Sequence, residues 1–182
     1  HTGTLPSRPR VLELGAGLGL PGRDLARRGV ASSVTLSDSR PALLEQLYQL
    51  CGPADAEGSL GTVVDCMQID WHSDADVAEA AAAAYDVVIA SDVAYYHPDV
   101  MPLAKALQAI RARVTVVAAP LHREAAGALG EALEGLGGTV DEQKLTLVSS
   151  DTAGWSDGQP PLASRVVAMP ALAYRVLVVT WA

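Results

Sequence analysis

The chain alternates between short apolar blocks rich in β-branched residues and stretches in which apolar residues recur at helical spacing. Residues 11–14 read as a short buried strand that runs directly into glycines. Residues 21–28 read as a helix stopped by Gly29, with Arg27 and Arg28 in its last turn, where cations suit the helix dipole. A second strand, 33–37, ends at Asp38. Pro41 then sits where the first turn of a helix tolerates proline, and Leu43, Leu44, Leu47 and Leu50 mark one helical face. Residues 62–69 read as a third strand and 74–84 as an alanine-rich helix. Residues 85–90 read as a fourth strand, apolar enough to be buried on both faces. Val100, Leu103, Ala104, Leu107 and Ile110 follow helical spacing, 114–118 is a fifth strand, and 121–136 is a helix stopped by Gly137 and Gly138. Strands at 139–148 and 174–181 close the pattern.

Five β-α repeats followed by two strands predict an α/β fold with a doubly wound, mostly parallel seven-stranded sheet and helices on both faces. The last two strands are joined without a helix, so an antiparallel C-terminal strand is expected. Residues 149–170 form the one long irregular segment, with Trp155 in it. Irregular segments of that length are functional or mobile, so this one is either a surface excursion or a lid or partner-recognition loop.

Composition narrows the function. The chain has 182 residues, enough for a single domain (1–182) with its own core. Hydrophobic residues make up 49% and charged residues 19%, which excludes a disordered chain. A charge interrupts each apolar run well short of the roughly 20 residues of a membrane span, so no membrane partner is expected. The net charge of −8 argues against a sequence-independent grip on nucleic acid and favours basic partners or cationic ligands. Cys51 and Cys66 make no disulfide framework, so a reducing, cytoplasmic setting is the default. The chain starts at His1 without a charged leader, and part of an N-terminal segment is expected to be missing.

The candidate chemistry starts at Gly15, Gly17 and Gly19, which follow the first strand and open a helix. Such glycines permit a sharp turn and close approach of a ligand to the backbone. A dinucleotide fingerprint would place its third glycine at position 20, which is Leu20. A turn of this kind suits the methionyl part of S-adenosylmethionine, which carries no phosphate, and Glu13 adds negative charge near an amine and a sulfonium. Asp38 stands where an acid takes both ribose hydroxyls, or where it caps the following helix. Asp70 and Trp71 follow the third strand, placed for an adenine: Asp70 for its exocyclic amine, Trp71 for stacking. A helix cap beside a partly buried Trp is the plainer alternative.

VLELGAGLGLPG (11–22), VTLSDS (34–39), the Asp70–Trp71 pair and YDVVIASDVAYY (85–96) together resemble a class I, seven-stranded, Rossmann-like S-adenosylmethionine-dependent methyltransferase. More closely they resemble the protein-lysine methyltransferases marked by Asp-x-x-Tyr after the fourth strand, here Asp92 to Tyr95. The resemblance covers residues 9 to 120. It implies S-adenosylmethionine as cofactor, with Ser91 joining the binding residues, Asp92 and Tyr95 as catalytic residues, and a protein partner with an accessible lysine.

Methyl transfer from a sulfonium is an in-line displacement that needs an acceptor lone pair and close alignment. A carboxylate beside a lysine raises the amine's pKa, so Asp92 better explains holding the amine than deprotonating it. Tyr95 can present a hydroxyl or a ring face, and Tyr96 and His97 are the next candidates at the rim. Arg123, just after the fifth strand, either pairs with an acid near the site or is a surface charge. Two other functions compete: a small-molecule or other side-chain methyltransferase on the same fold, and a binding protein that has lost turnover.

Overall fold

The computed structural model describes residues 4–51, 61–147 and 172–181. His1, Trp155 and the 149–170 segment lie outside the described residues.

The strands are β1 (Arg10–Leu14), β2 (Ser33–Asp38), β3 (Val63–Gln68), β4 (Val87–Ser91), β5 (Val114–Pro120), β6 (Gly138–Leu147) and β7 (Leu172–Trp181). The helices are α1 (Leu20–Arg27), α2 (Pro41–Leu50), α3 (Asp74–Ala82), α4 (His97–Ile110) and α5 (Glu124–Gly135). The seven strands form one sheet in the order β3-β2-β1-β4-β5-β7-β6. β1 to β5 pair with one another in parallel, whereas β7 runs antiparallel to both β5 and β6. The mostly parallel sheet and the antiparallel last strand are as the sequence predicts. The chain winds outward from β1 to β3, then returns to place β4 on the other side of β1. That reversal puts a crevice at the carboxyl ends of the central strands.

Alternation along β1 divides the core. Leu12 and Leu14 join Val88, Ala90, Leu103, Leu107, Leu129 and Leu177 in one cluster, under α3, α4 and α5. Val11 joins Val34, Leu36, Leu44 and Leu47 in a second cluster, under α1 and α2. Each fully buried Leu contributes about 1.5–3 kcal/mol from apolar surface removed from water. Cys66 belongs to the second cluster, and burial first, then the neighbouring Cys51, pushes its thiol up to about 12.

Three expectations shift. The fourth strand starts at Val87, not 85, because α3 ends at Ala82 and Ala84 takes a left-handed φ of 54°. Asp86 then stands at the amino end of β4, its carboxylate accepting from the Arg10 backbone N–H at 2.9 Å and pairing with Arg113 at 3.4 Å. β4 is not fully buried on both faces: Val88 and Ala90 are buried, but Val87 and Ile89 only partly, against the smaller cluster. Finally, α5 starts at Glu124 rather than 121, which leaves Arg123 as its N-cap, just past the end of β5.

Candidate active site

The glycine turn is set by backbone conformation. Gly15, Gly17 and Gly19 have φ of 63°, 57° and 67°, a region that L side chains rarely adopt. Two backbone bonds fix the turn, Ala16 N–H to Ser37 C=O and Gly19 N–H to Ala16 C=O, both 2.7 Å. A Cβ on Gly15 would stand 2.7 Å from Val93 Cγ1 and 3.7 Å from the Trp71 ring, so the turns after β1, β3 and β4 pack directly on one another there.

Glu13 shares the α1 face with Val11. It is 1% exposed, and its Oε2 accepts from the Gly22 backbone N–H at 2.8 Å. Burial pushes its pKa up to about 7, opposed by that hydrogen bond. At neutral pH Glu13 is therefore only partly ionised. Gly22 is the partner that sequence reasoning missed. A Cβ there would stand 2.5 Å from both Glu13 Oε2 and Leu36 Cδ2, so only glycine lets α1 approach the sheet this closely.

Asp38 is buried at the end of β2. Its Oδ2 accepts from the Gly17 N–H at 3.2 Å, and its Oδ1 accepts from the Arg40 backbone N–H at 3.1 Å and Arg40 Nε at 3.2 Å. Asp70 accepts from the His72 backbone N–H at 2.9 Å, and its own N–H donates to Asp76 at 2.9 Å. Trp71 is half-buried against the larger cluster, and its Nε1 is buried with no hydrogen-bond partner among the described residues. His72 Nε2 lies 3.2 Å from Asp99 Oδ1 and ties this turn to the first turn of α4. Ser91 is exposed at the end of β4, where its register partner is Ala118.

Asp92 has φ of 51°, a left-handed conformation that Asp tolerates better than most residues. Its N–H donates to Ala118 C=O at 2.7 Å, extending the β4–β5 ladder. Its carboxylate is held by Arg123 through two bonds, Nε to Oδ1 at 3.0 Å and Nη2 to Oδ2 at 3.3 Å. The Arg123 guanidinium carbon also lies 4.4 Å from the centre of the Tyr95 ring. The bond to Asp92 comes first among the causes that push the guanidinium pKa further up. Tyr95 and Tyr96 are exposed, with ring centres 6.4 Å apart, and His97 is exposed beside them. The structure thus joins Asp92, Tyr95 and Arg123 in one unit and settles the alternative for Arg123 in favour of pairing. The signal was its position just past β5, next to β4 in a parallel sheet.

The turns after β1, β2, β3 and β4 lie together at the carboxyl ends of the strands, beside the β1–β4 reversal, which is where open α/β sheets take ligands. The same fold occurs in an S-adenosylmethionine-dependent methyltransferase from Mesorhizobium loti, at 17% identity, covering 96% of this chain and 93% of that one, with a TM-score of 0.59. It occurs also in an arsenic(III) S-adenosylmethionine methyltransferase from Chlamydomonas reinhardtii, at 18% identity over 98% of this chain and 65% of that one, TM-score 0.66. The SpnF cyclase shares it too, at 16% identity over 97% of this chain and 76% of that one, TM-score 0.66, so these likenesses speak for the fold and not for a substrate. The glycine turn after β1 and the sheet order give the chain the fold of the class I S-adenosylmethionine-dependent methyltransferases. Within that class, the family model described as lysine methyltransferase matches residues 3–127, and the chain belongs to this family. Among curated proteins, the biotin biosynthesis bifunctional protein of Bordetella avium is 34% identical over 82 residues, 38% of this chain and 18% of that protein. The chain thus spans less than a fifth of that relative's length.

S-adenosylmethionine fits the residues present. A Cβ on Gly17 would meet nothing within 4 Å, so the turn is open at its tip. Trp71 Nε1, in the turn after β3, is a buried donor that still lacks an acceptor among the described residues.

Proposed function

We propose that this protein transfers methyl groups to a lysine side chain of a protein substrate. The observation that carries the reading is Asp92–Tyr95 at the carboxyl end of β4, in a chain of the lysine methyltransferase family, with exposed Tyr95 and Tyr96 at the mouth. When bound, S-adenosylmethionine supplies a methyl group on a positively charged sulfur. In this reading the backbone of Gly15, Gly17 and Gly19 lines its methionyl part, and Glu13 braces that turn through Gly22. Asp38 takes the ribose hydroxyls, which compete with the Arg40 side chain for Oδ1. Asp70, Trp71 and Ser91 hold the adenine side.

The acceptor lysine has an ordinary pKa near 10.4, so its reactive neutral form costs about 4–5 kcal/mol at pH 7. Asp92 accepts a hydrogen bond from the amine and aims its lone pair. The Tyr95 ring flanks the amine, and its hydroxyl stands at the rim. Alignment of this kind is worth about 7–11 kcal/mol for well-oriented reactants.

The test is incubation of the chain with tritiated methyl donor and a cell lysate, followed by mapping of labelled sites. Label is expected on lysine in protein, and Asp92→Asn is expected to lower it by about a hundredfold, the scale of a misplaced reactant. S-adenosylhomocysteine binding should be retained in that variant. Label that collects in the metabolite fraction overturns the protein-lysine reading in favour of a small-molecule acceptor.

A further inference from the structure

Arg123 changes what Asp92 can do. A lone carboxylate at the mouth would pair with a lysine ammonium and hold it in the unreactive protonated form. Both Asp92 oxygens, however, are already engaged by one guanidinium, at 3.0 and 3.3 Å. A carboxylate has about four lone-pair sites, so two remain for a neutral N–H donor. The same guanidinium lies over the Tyr95 ring at 4.4 Å and occupies a ring face that would otherwise attract a cation. The titratable groups acting on Arg123 are Asp92, then Tyr95 and Tyr96 from the same turn, while His122 and Glu124 flank it in sequence. Asp99, the next acid along α4, is turned to His72.

We propose that Arg123 is a positioning residue that converts Asp92 from an ammonium trap into a net-neutral hydrogen-bond acceptor for the free amine. The two side chains are 31% and 36% exposed, so water screens the effect to about tenfold rather than thousands. This inference rests on the proposed lysine acceptor, and its test separates the two.

The probe is n-butylamine, a lysine side chain without its backbone, titrated by NMR between pH 7 and 11 into the chain loaded with S-adenosylhomocysteine. The wild type is expected to bind total amine more tightly as pH rises towards the amine's pKa, because it selects the neutral form. Arg123→Gln is expected to reverse that trend and to bind the amine about tenfold more tightly than wild type at pH 7. Arg123→Lys should keep the wild-type direction. Asp92→Asn, which leaves Arg123 uncompensated, should bind ammonium more weakly still, and it decides the matter if Arg123→Gln loses S-adenosylhomocysteine affinity in calorimetry. The same pH dependence in wild type and Arg123→Gln, or tighter ammonium binding by Asp92→Asn, overturns the role of Arg123 and leaves the lysine reading standing. No butylamine binding by the wild type at any pH overturns both.

Discussion

Glu13 shows how one buried residue links the site to stability. Its folded pKa, pushed up to about 7 by burial, lies above the ordinary value of 4.5. Below pH 4.5 the group is protonated in both folded and unfolded chains and adds no penalty. As pH rises from 4.5 through 7, the unfolded chain releases a proton that the folded chain still holds, so stability is lost over that window. The loss is on the order of 3 kcal/mol and is complete above pH 7. Glu13→Gln keeps an oxygen for the Gly22 N–H and cannot ionise. In urea unfolding at pH 4.5 and pH 8, the variant should gain on wild type by that amount between the two pH values. A constant difference would mean that the carboxyl stays ionised in its buried position. The parity of β1 places Glu13 on the side of Val11, and hence under α1. In the sequence Glu13 reads only as negative charge near a bound amine and sulfonium; its burial was not legible, because burial depends on how closely α1 approaches.

At the scale of elements, strands and helices were legible from periodicity, and the errors have physical causes. Tyr85 and Asp86 look like strand but lie before it, since Ala84 turns the chain in a left-handed conformation and Asp86 is drawn to Arg10 and Arg113. Of the candidate site, Gly15, Gly17, Gly19, Asp38, Asp70, Trp71 and Asp92 were legible as residues at or just past strand ends, because their positions follow from local sequence, whereas Ser91 came only with the family resemblance. The Asp92–Arg123 pair spans 31 residues and depends on the β4–β5 register that sets Ser91 against Ala118, which no local pattern contains. Nor was the insertion of β7 between β5 and β6 legible, since both orders satisfy the same alternation. Gly22 was missed for a related reason: its role belongs to the contact between α1 and the sheet. Alanine at a helix interior ordinarily gains about 1 kcal/mol over glycine. Here the added Cβ meets Glu13, Leu36 and Val34, whose side chains are buried and cannot swing away. Overpacking of a tight core costs about 1–3 kcal/mol. Gly22→Ala should therefore leave the protein less stable by about 1 kcal/mol in chemical denaturation, against its helix propensity. A stabilised variant would show that α1 can lift off the sheet without loss.

The molecule as a whole carries a net charge of −8, and the candidate site lies at the carboxyl ends of its central strands. If the acceptor is a lysine on a protein, that charge acts on the partner before any contact forms. An acidic surface raises the encounter rate of a basic one and does little for the chemical step, since charge complementarity governs approach more than alignment. Salt separates the two contributions. The screening length falls from about 10 Å at 0.1 M to about 3 Å at 1 M, which removes long-range attraction but leaves contacts such as Asp92–Arg123 largely intact. For a substrate protein found by labelling, KM should therefore rise several-fold over that range while kcat holds. The affinity for n-butylamine, which has a single charge and no extended surface, should move much less. A KM indifferent to salt would place recognition in short-range contacts at the rim, with Tyr95 and Tyr96 carrying it, and would leave the acidic surface with a role in solubility alone.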